Sequence, residues 1–257
     1  MLFLQATVLF ILSALASSAP TEKRWFGGAN WWTHHASASS GYLDFGRRWP
    51  GAESSLSSCS LSGVKMPASS TPLPAPADGL TLSHVAIGRG TQNYTCDLSN
   101  ATAVPAPVGA LATLFNVTCL AASAPDLLSI LPSIALELPV PSSSDVQDPI
   151  NQDMSGHHYF IDLTTAFFNM DTSLHQYGSG AFKKVNAVPA PATAPKGQYG
   201  RGDGAVAWLK LDAKNDKDQI FQQVYRLNTA GGNPPKTCKG QKAAFEVQYA
   251  AEYWLFE

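Results

Sequence analysis

The chain has 257 residues, 45% hydrophobic and only 14% charged, which is enough apolar material for one sizeable core. A formal net charge of −2 and the lack of any basic block argue against a nucleic-acid partner or strong attraction to an anionic membrane. Beyond the first residues no apolar run reaches membrane-spanning length. The ending Glu252-Tyr-Trp-Leu-Phe-Glu257 lacks the hydrophobic tail of a lipid-anchor signal, so no membrane anchor is expected.

Residues 1–16 read as a signal peptide, with an apolar run over 6–16 that ends in Ala14-Leu15-Ala16 and is too short to cross a bilayer. Export is therefore the expectation, to an extracellular or cell-wall location. Lys23-Arg24 is a dibasic pair that a processing protease could cut, leaving a mature chain that starts near Trp25, although such pairs also arise by accident. Residues 17–79 read as an N-terminal arm and linker. Within it, 25–50 mixes Trp, Phe, Tyr, Gly, Ser and His with no sustained period, and 67–79 is a proline-rich connector that cannot be a central strand. A single β domain is expected over 80–257.

Strands are predicted at 80–87, 91–96, 111–119, 158–168, 206–212, 220–228 and 247–256, where β-branched and aromatic residues alternate with polar ones. On 111–119 the alternation groups Leu111, Thr113, Phe115, Val117 and Cys119 on the inward face, and puts Leu114, Asn116 and Thr118 opposite. One helix is predicted after Ser123-Ala-Pro-Asp126, from the spacing of Leu127, Leu128, Leu131, Ile134, Ala135 and Leu138, with Pro132 expected to break or kink it. Proline-containing connectors are read at 139–149 and 188–197, and Asn215-Asp-Lys-Asp218 as a turn. The fold class is all-β, an antiparallel β-sandwich or partly closed barrel with one short helix.

Three sequons, at Asn93, Asn100 and Asn116, are candidate glycosylation sites behind an export signal. Four cysteines in an oxidising route favour two disulfides over metal ligation. Three pairings are possible. The strand faces favour Cys96 with Cys119, closing a loop that the chain-entropy model values at roughly 3 kcal/mol, and leave Cys59 with Cys238.

Several blocks carry a family resemblance: Gly88-Arg-Gly-Thr-Gln-Asn-Tyr-Thr-Cys96, Gly156-His-His-Tyr159, Ala207-Trp-Leu-Lys-Leu211, Arg226-Leu-Asn-Thr-Ala-Gly-Gly-Asn-Pro-Pro235 with Cys238, and Val247-Gln-Tyr-Ala-Ala-Glu-Tyr-Trp254. Together they resemble domain-of-unknown-function family 3455, from about residue 80 to the end. The resemblance implies an exported protein and supplies no activity from which site residues could be carried over. Automated labels of malate dehydrogenase attach to such proteins, yet Gly88-Arg-Gly90 runs into a strand where a dinucleotide fold needs a helix. No cofactor and no metal is expected.

For chemistry, His157 and His158 are adjacent, so on a strand they point to opposite faces and cannot share a metal unless Gly156 turns the chain. They are retained as possible ligand contacts, with hydrogen-bonded structural roles favoured. Asp171 and His175 read as a polar loop, and Arg201-Gly-Asp203 as a glycine-flanked turn. Glu246 and Glu252 share strand parity but lie roughly 20 Å apart along an extended strand, too far for a glycosidase pair. Trp208, Trp254, Tyr225 and Tyr253 read as core. Trp31, Trp32 and Trp49 lie outside it and are the better candidates for contact with an extracellular glycan or surface protein. The expected function is a non-catalytic secreted interaction glycoprotein, possible glycan binding included; the alternative is an extracellular polysaccharide hydrolase.

Overall fold

The computed structural model describes residues 59–141, 153–214 and 219–257. Among them are eight strands: β1 (Leu82–Thr95), β2 (Ala106–Asn116), β3 (Met154–Asp162), β4 (Thr165–Asp171), β5 (Gln176–Val188), β6 (Trp208–Ala213), β7 (Gln223–Gly231) and β8 (Ala244–Phe256). Each pairs antiparallel with the next, and β8 returns to pair with β1, so the sheet closes into an up-and-down barrel with no free edge. The barrel alternative of the expected all-β class is the one realised. Two helices, α1 (Thr118–Ser123) and α2 (Pro125–Glu137), fill the passage from β2 to β3.

An eight-stranded barrel has an interior just wide enough for side chains, so bulky residues on one wall require small ones on the wall they face. Here β8 supplies Tyr249 and Tyr253 and the far wall supplies Phe168 and Phe182, all fully buried. β1 and β2 answer with Ala86, Gly88, Gly90, Ala110 and Ala112. A Cβ at Gly88 would lie 2.5 Å from the Tyr253 ring, and one at Gly90 would lie 1.8 Å from the Leu111 carbonyl oxygen. The glycines of the Gly88-Arg-Gly90 block are therefore a steric allowance inside one strand. The two strands expected at 80–87 and 91–96 are the single β1.

The face assignment on β2 is corrected. Leu114 is fully buried and points inward with Ala110 and Ala112, while Leu111 is 54% exposed. The interior wants small residues at this wall, so residue size overrides the simple equation of larger apolar groups with the inside. The segment 158–168 is two strands joined by a tight turn, in which Asp162 Oδ1 accepts hydrogen bonds from the Thr164 amide (2.7 Å) and hydroxyl (2.8 Å). β5 is not among the strands expected from the sequence, because Gly178, Gly180 and the Lys183-Lys184 pair mask its alternation.

A second apolar layer lies outside the barrel. Val85, Ile87, Trp208, Tyr225, Leu227, Trp254 and Phe256 point outward yet are buried, under Ala121 and Leu128 of the helices, Leu73 of the proline-rich segment, and Val64, Met66 and Leu80 on either side of it. That segment, read from sequence as a connector, is a strap on the barrel wall. Prolines cannot donate from the backbone, but their carbonyls remain free to accept. Tyr225 Oη donates to the Pro74 carbonyl (2.8 Å) and Lys210 Nζ to the Ala75 carbonyl (2.7 Å), while the Ala77 amide donates to Gln223 Oε1 (3.0 Å).

Helix α2 begins at Pro125, where a missing amide costs nothing, and continues through Pro132 to Glu137. The expected break does not occur. Leu128, Pro132 and Leu136, four residues apart, face the barrel, and this packing offsets the hydrogen bond that Pro132 cannot donate. The helix end is held by Arg89, whose guanidinium donates to the Leu138 carbonyl (2.8 Å), the Tyr249 carbonyl (3.2 Å) and Gln248 Oε1. Among the described residues, no helix is long and apolar enough to cross a membrane.

The favoured cysteine pairing is also corrected. The disulfides are Cys59–Cys119 and Cys96–Cys238, with Cα separations of 5.3 and 5.6 Å. Cys96 follows the last residue of β1 and Cys119 lies in α1, past the far end of β2, so the two sit at opposite ends of one hairpin. About ten residues at ~3.3 Å each keep them apart. In the chain-entropy model the observed loops contribute roughly 4 and 5 kcal/mol.

Two measurements check this architecture. Non-reducing proteolysis with mass spectrometry should yield Cys59–Cys119 and Cys96–Cys238 peptides; a Cys96–Cys119 peptide would refute the pairing. Gly90→Ala should lower folding stability by about 3 kcal/mol or more, because the clash is with backbone, and an unchanged melting midpoint would contradict the close approach of β1 to β2.

Candidate functional site

Of the sequence candidates, Trp31, Trp32 and Trp49 lie outside the described residues. His157 and His158 occupy opposite faces of β3, as their spacing requires, even with Gly156 at a register shift. His158 is inside the barrel, 3% exposed, stacked on Phe168 (centroids 4.3 Å apart), with Nδ1 3.1 Å from the Phe167 carbonyl. Burial pushes its pKa down to about 4 against the opposing pull of that carbonyl, so the ring is neutral and structural. His157, half-buried on the outer face, is lowered by burial as well.

Asn100 is exposed in the β1–β2 turn, with Oδ1 accepting from the Thr102 amide (3.1 Å) and hydroxyl (2.8 Å). Asn93 and Asn116 are half-buried. Asn93 lies on the outer side of β1 and accepts from the Thr91 hydroxyl, whereas Asn116 Nδ2 donates to Tyr177 Oη (3.4 Å). Asp171 ends β4 and its Oδ1 accepts from the Gly178 amide of β5 (2.7 Å), while His175 lies in the β4–β5 loop. Glu252 is fully buried on the outer face of β8, its oxygens accepting from Asn228 Nδ2 (2.7 Å) and Trp254 Nε1 (2.8 Å). Burial raises its pKa, and both oxygens are occupied, so it is not poised for acid catalysis. Trp208, Trp254, Tyr225 and Tyr253 are core residues, as expected.

What the sequence did not show is that the barrel is packed only part of the way along its axis. At one end Ala86, Leu114, Met170, Phe182, Val224 and Leu255 fill the interior. At the other, where the β1–β2, β3–β4, β5–β6 and β7–β8 connections gather, a cavity of about 540 Å³ opens. Its wall is apolar through Phe160, Leu163, Val206 and Leu209. Such dimensions and lining are those of a small-molecule site.

The polar groups of this end divide into deep ones on the floor and exposed ones at the mouth. Arg226 projects inward from β7, 8% exposed, and donates to the Ala207 carbonyl through Nη2 (2.9 Å) and Nε (3.3 Å). Gln92 from β1 is 9% exposed, and its Nε2, beside the Tyr249 hydroxyl, has no partner of hydrogen-bonding geometry. Below them the hydroxyls of Tyr249 and Tyr253 lie 2.7 Å apart, both phenols raised by burial first. Tyr94 Oη donates to the Gly232 carbonyl (2.8 Å). Lys183, Lys184 and Lys214 stand at the mouth. Arg226 lies in one of the family-like blocks. The legible signal is a cation at the parity of Val224 between the apolar Tyr225 and Leu227, but both faces of β7 are buried, so parity alone does not say which is the interior.

Among the described residues no group of three or more His, Cys, Asp or Glu side chains is placed to hold a metal. Residues 76–257 match the family described as Protein of unknown function (DUF3455). No curated protein and no solved structure matches the chain.

His84, near the packed end of the barrel, is like His158 held at about 4, by burial and then by His175. Two histidines with depressed pKa leave stability complete above the ordinary value of 6.5. As pH falls below that the unfolded chain takes up protons that the folded chain refuses, so stability drops until about 4, by roughly 3 kcal/mol per histidine. Glu252 acts in the opposite direction. His158→Gln should therefore flatten the fall of the melting midpoint across this window; a variant with the wild-type pH slope would show that His158 titrates normally.

Proposed function

Since the chain belongs to the family of unknown function DUF3455, whose description assigns no activity, we propose a function from geometry: a secreted, non-catalytic binding protein that holds a small ligand in the open end of its barrel. The observation that carries this reading is the unequal filling of the interior. A barrel selected only for stability would pack both ends, because each unfilled methyl-sized space costs about 1 kcal/mol. Here one end is dense and the other keeps about 540 Å³ beside two buried polar side chains.

The extracellular part of the reading is supported by two disulfides, which persist in oxidising compartments, and by the sequons and export-like start of the sequence. The Cys96–Cys238 bridge ties the β1–β2 connection to the β7–β8 connection at the open end of the barrel. A surface-glycan reading rests on Trp31, Trp32 and Trp49, outside the described residues. The aromatic residues within the described barrel, Tyr225, Tyr249, Tyr253 and Trp254 among them, are mostly spent on packing.

The test uses the neutral fluorophore N-phenylnaphthylamine, which brightens on entering an apolar cavity. Wild-type protein should enhance its emission saturably, and Leu209→Trp, which fills the cavity from β6, should weaken binding about tenfold or more. No enhancement, or equal enhancement by the filled variant, would overturn the reading. Release of soluble oligosaccharides from chitin, β-glucan or cellulose would favour the hydrolase instead.

A further inference from the structure

The charge arrangement at the cavity floor says more about the ligand, on the premise that the cavity is a binding site. Arg226 is a permanent cation removed from water. Buried charges are ordinarily paired, because desolvating an ion costs several kcal/mol that only a counter-charge or a full set of hydrogen bonds recovers. The partners of Arg226 are neutral: the Ala207 carbonyl and the hydroxyl of Tyr253. Among the described residues no carboxylate lies within ion-pair distance of it. The nearby acid at the mouth, Asp162, is engaged elsewhere. Its oxygens accept from Thr164 and Thr165, and it faces Lys214, which itself donates to the Thr165 hydroxyl.

Beside this unbalanced cation is the buried amide of Gln92, whose Nε2 lies near the Tyr249 hydroxyl without reaching hydrogen-bonding geometry. A poorly satisfied buried donor is costly, and native interiors rarely tolerate one without a reason. A cation and a poorly satisfied N–H at one floor are complementary to a single acceptor group bearing negative charge. Lys184, at the interior parity of β5 opposite Leu211, adds positive potential along the entrance. Phe160, Leu163, Val206 and Leu209 offer nothing to a polar body.

We propose that the open end of the barrel binds a small organic monocarboxylate, its carboxylate on Arg226 and Gln92 Nε2 at the floor and its apolar or aromatic body against Phe160, Leu163, Val206 and Leu209. A single negative charge matches the single uncompensated buried cation, and the planar carboxylate fits the fork of a guanidinium. A phosphate dianion would bring a second charge into the floor, with only the distant mouth lysines to meet it. Occupation gives the buried cation a counter-charge and the Gln92 amide a well-placed acceptor, so the ligand should also raise folding stability by mass action.

The experiment titrates the purified protein by calorimetry with naphthaleneacetate and with naphthaleneacetamide, which share one body and differ in charge. At neutral pH the acid should bind about tenfold or more tightly than the amide, an advantage of charge-assisted over neutral hydrogen bonding. Arg226→Gln should abolish that preference while leaving amide affinity within about twofold. Should Arg226→Gln fail to fold, Lys184→Glu at the exposed mouth and Gln92→Leu on the floor each test the same point, and each should weaken the acid selectively. Equal affinity of acid and amide, or a preference untouched by all these variants, would overturn the carboxylate assignment and leave the cavity reading standing. Acid binding that survives Leu209→Trp would place the anion elsewhere and overturn it too. If neither probe binds and N-phenylnaphthylamine is also excluded, the cavity reading fails along with it.

Discussion

The constraint on which this structure depends is the close approach of β1 to its neighbours. Eight strands can close around a file of tyrosine and phenylalanine rings only if part of the wall carries almost no side chain, and Gly88 and Gly90 supply that part. Tyr253 takes the space above Gly88, and the Leu111 carbonyl takes the space where a Gly90 side chain would be. Closure then brings β8 against β1, which removes the sheet edges that would otherwise need protection. The outer face of the same strands forms a second apolar layer, so β1, β7 and β8 are buried on both sides and need the strap and helices as a cover.

That double burial explains which parts of the fold were legible in the sequence. Strand existence was readable at β1, β2, β6, β7 and β8, because β-branched and aromatic residues mark them whatever their orientation. Orientation was not. Period-2 alternation identifies the core face only where the other face is wet, and on β2 the small inward residues Ala110 and Ala112 reversed the expected sense. The cysteine pairing failed for a related reason: the alternation was extended to Cys119, which the chain had already carried into a helix. β5 was hidden by glycines and lysines whose positions make sense only beside β4 and β6. Pro132 was read locally, whereas tertiary packing decides whether a helix tolerates proline.

The candidate site was less legible than the fold. His158 drew attention through its neighbour and its chemistry, and the structure makes it a neutral packing partner of Phe168. Arg226 attracted none, since an arginine in a strand ordinarily reads as a solvated residue. Its significance comes from three-dimensional facts: which way it points, how little of it is exposed, and the lack of any acid within reach among the described residues. The same holds for Gln92, whose amide is unremarkable in sequence and conspicuous only once its surroundings can be inspected atom by atom.

The separation of a packed end from an open end divides the barrel into regions under different packing constraints. Phe168, Phe182, Tyr253 and Leu255 are locked into mutual contact, so a change at one demands changes at others. Leu163, Lys184 and Leu209, at the mouth, have solvent or empty volume on one side and can vary singly at little cost to the fold. A lineage could then retune what the mouth accepts, in size through Leu209 and in charge through Lys184, without renegotiating the closure of the sheet. Relatives should show it as a pattern along the barrel axis, invariant at the glycine end and drifting at the rim.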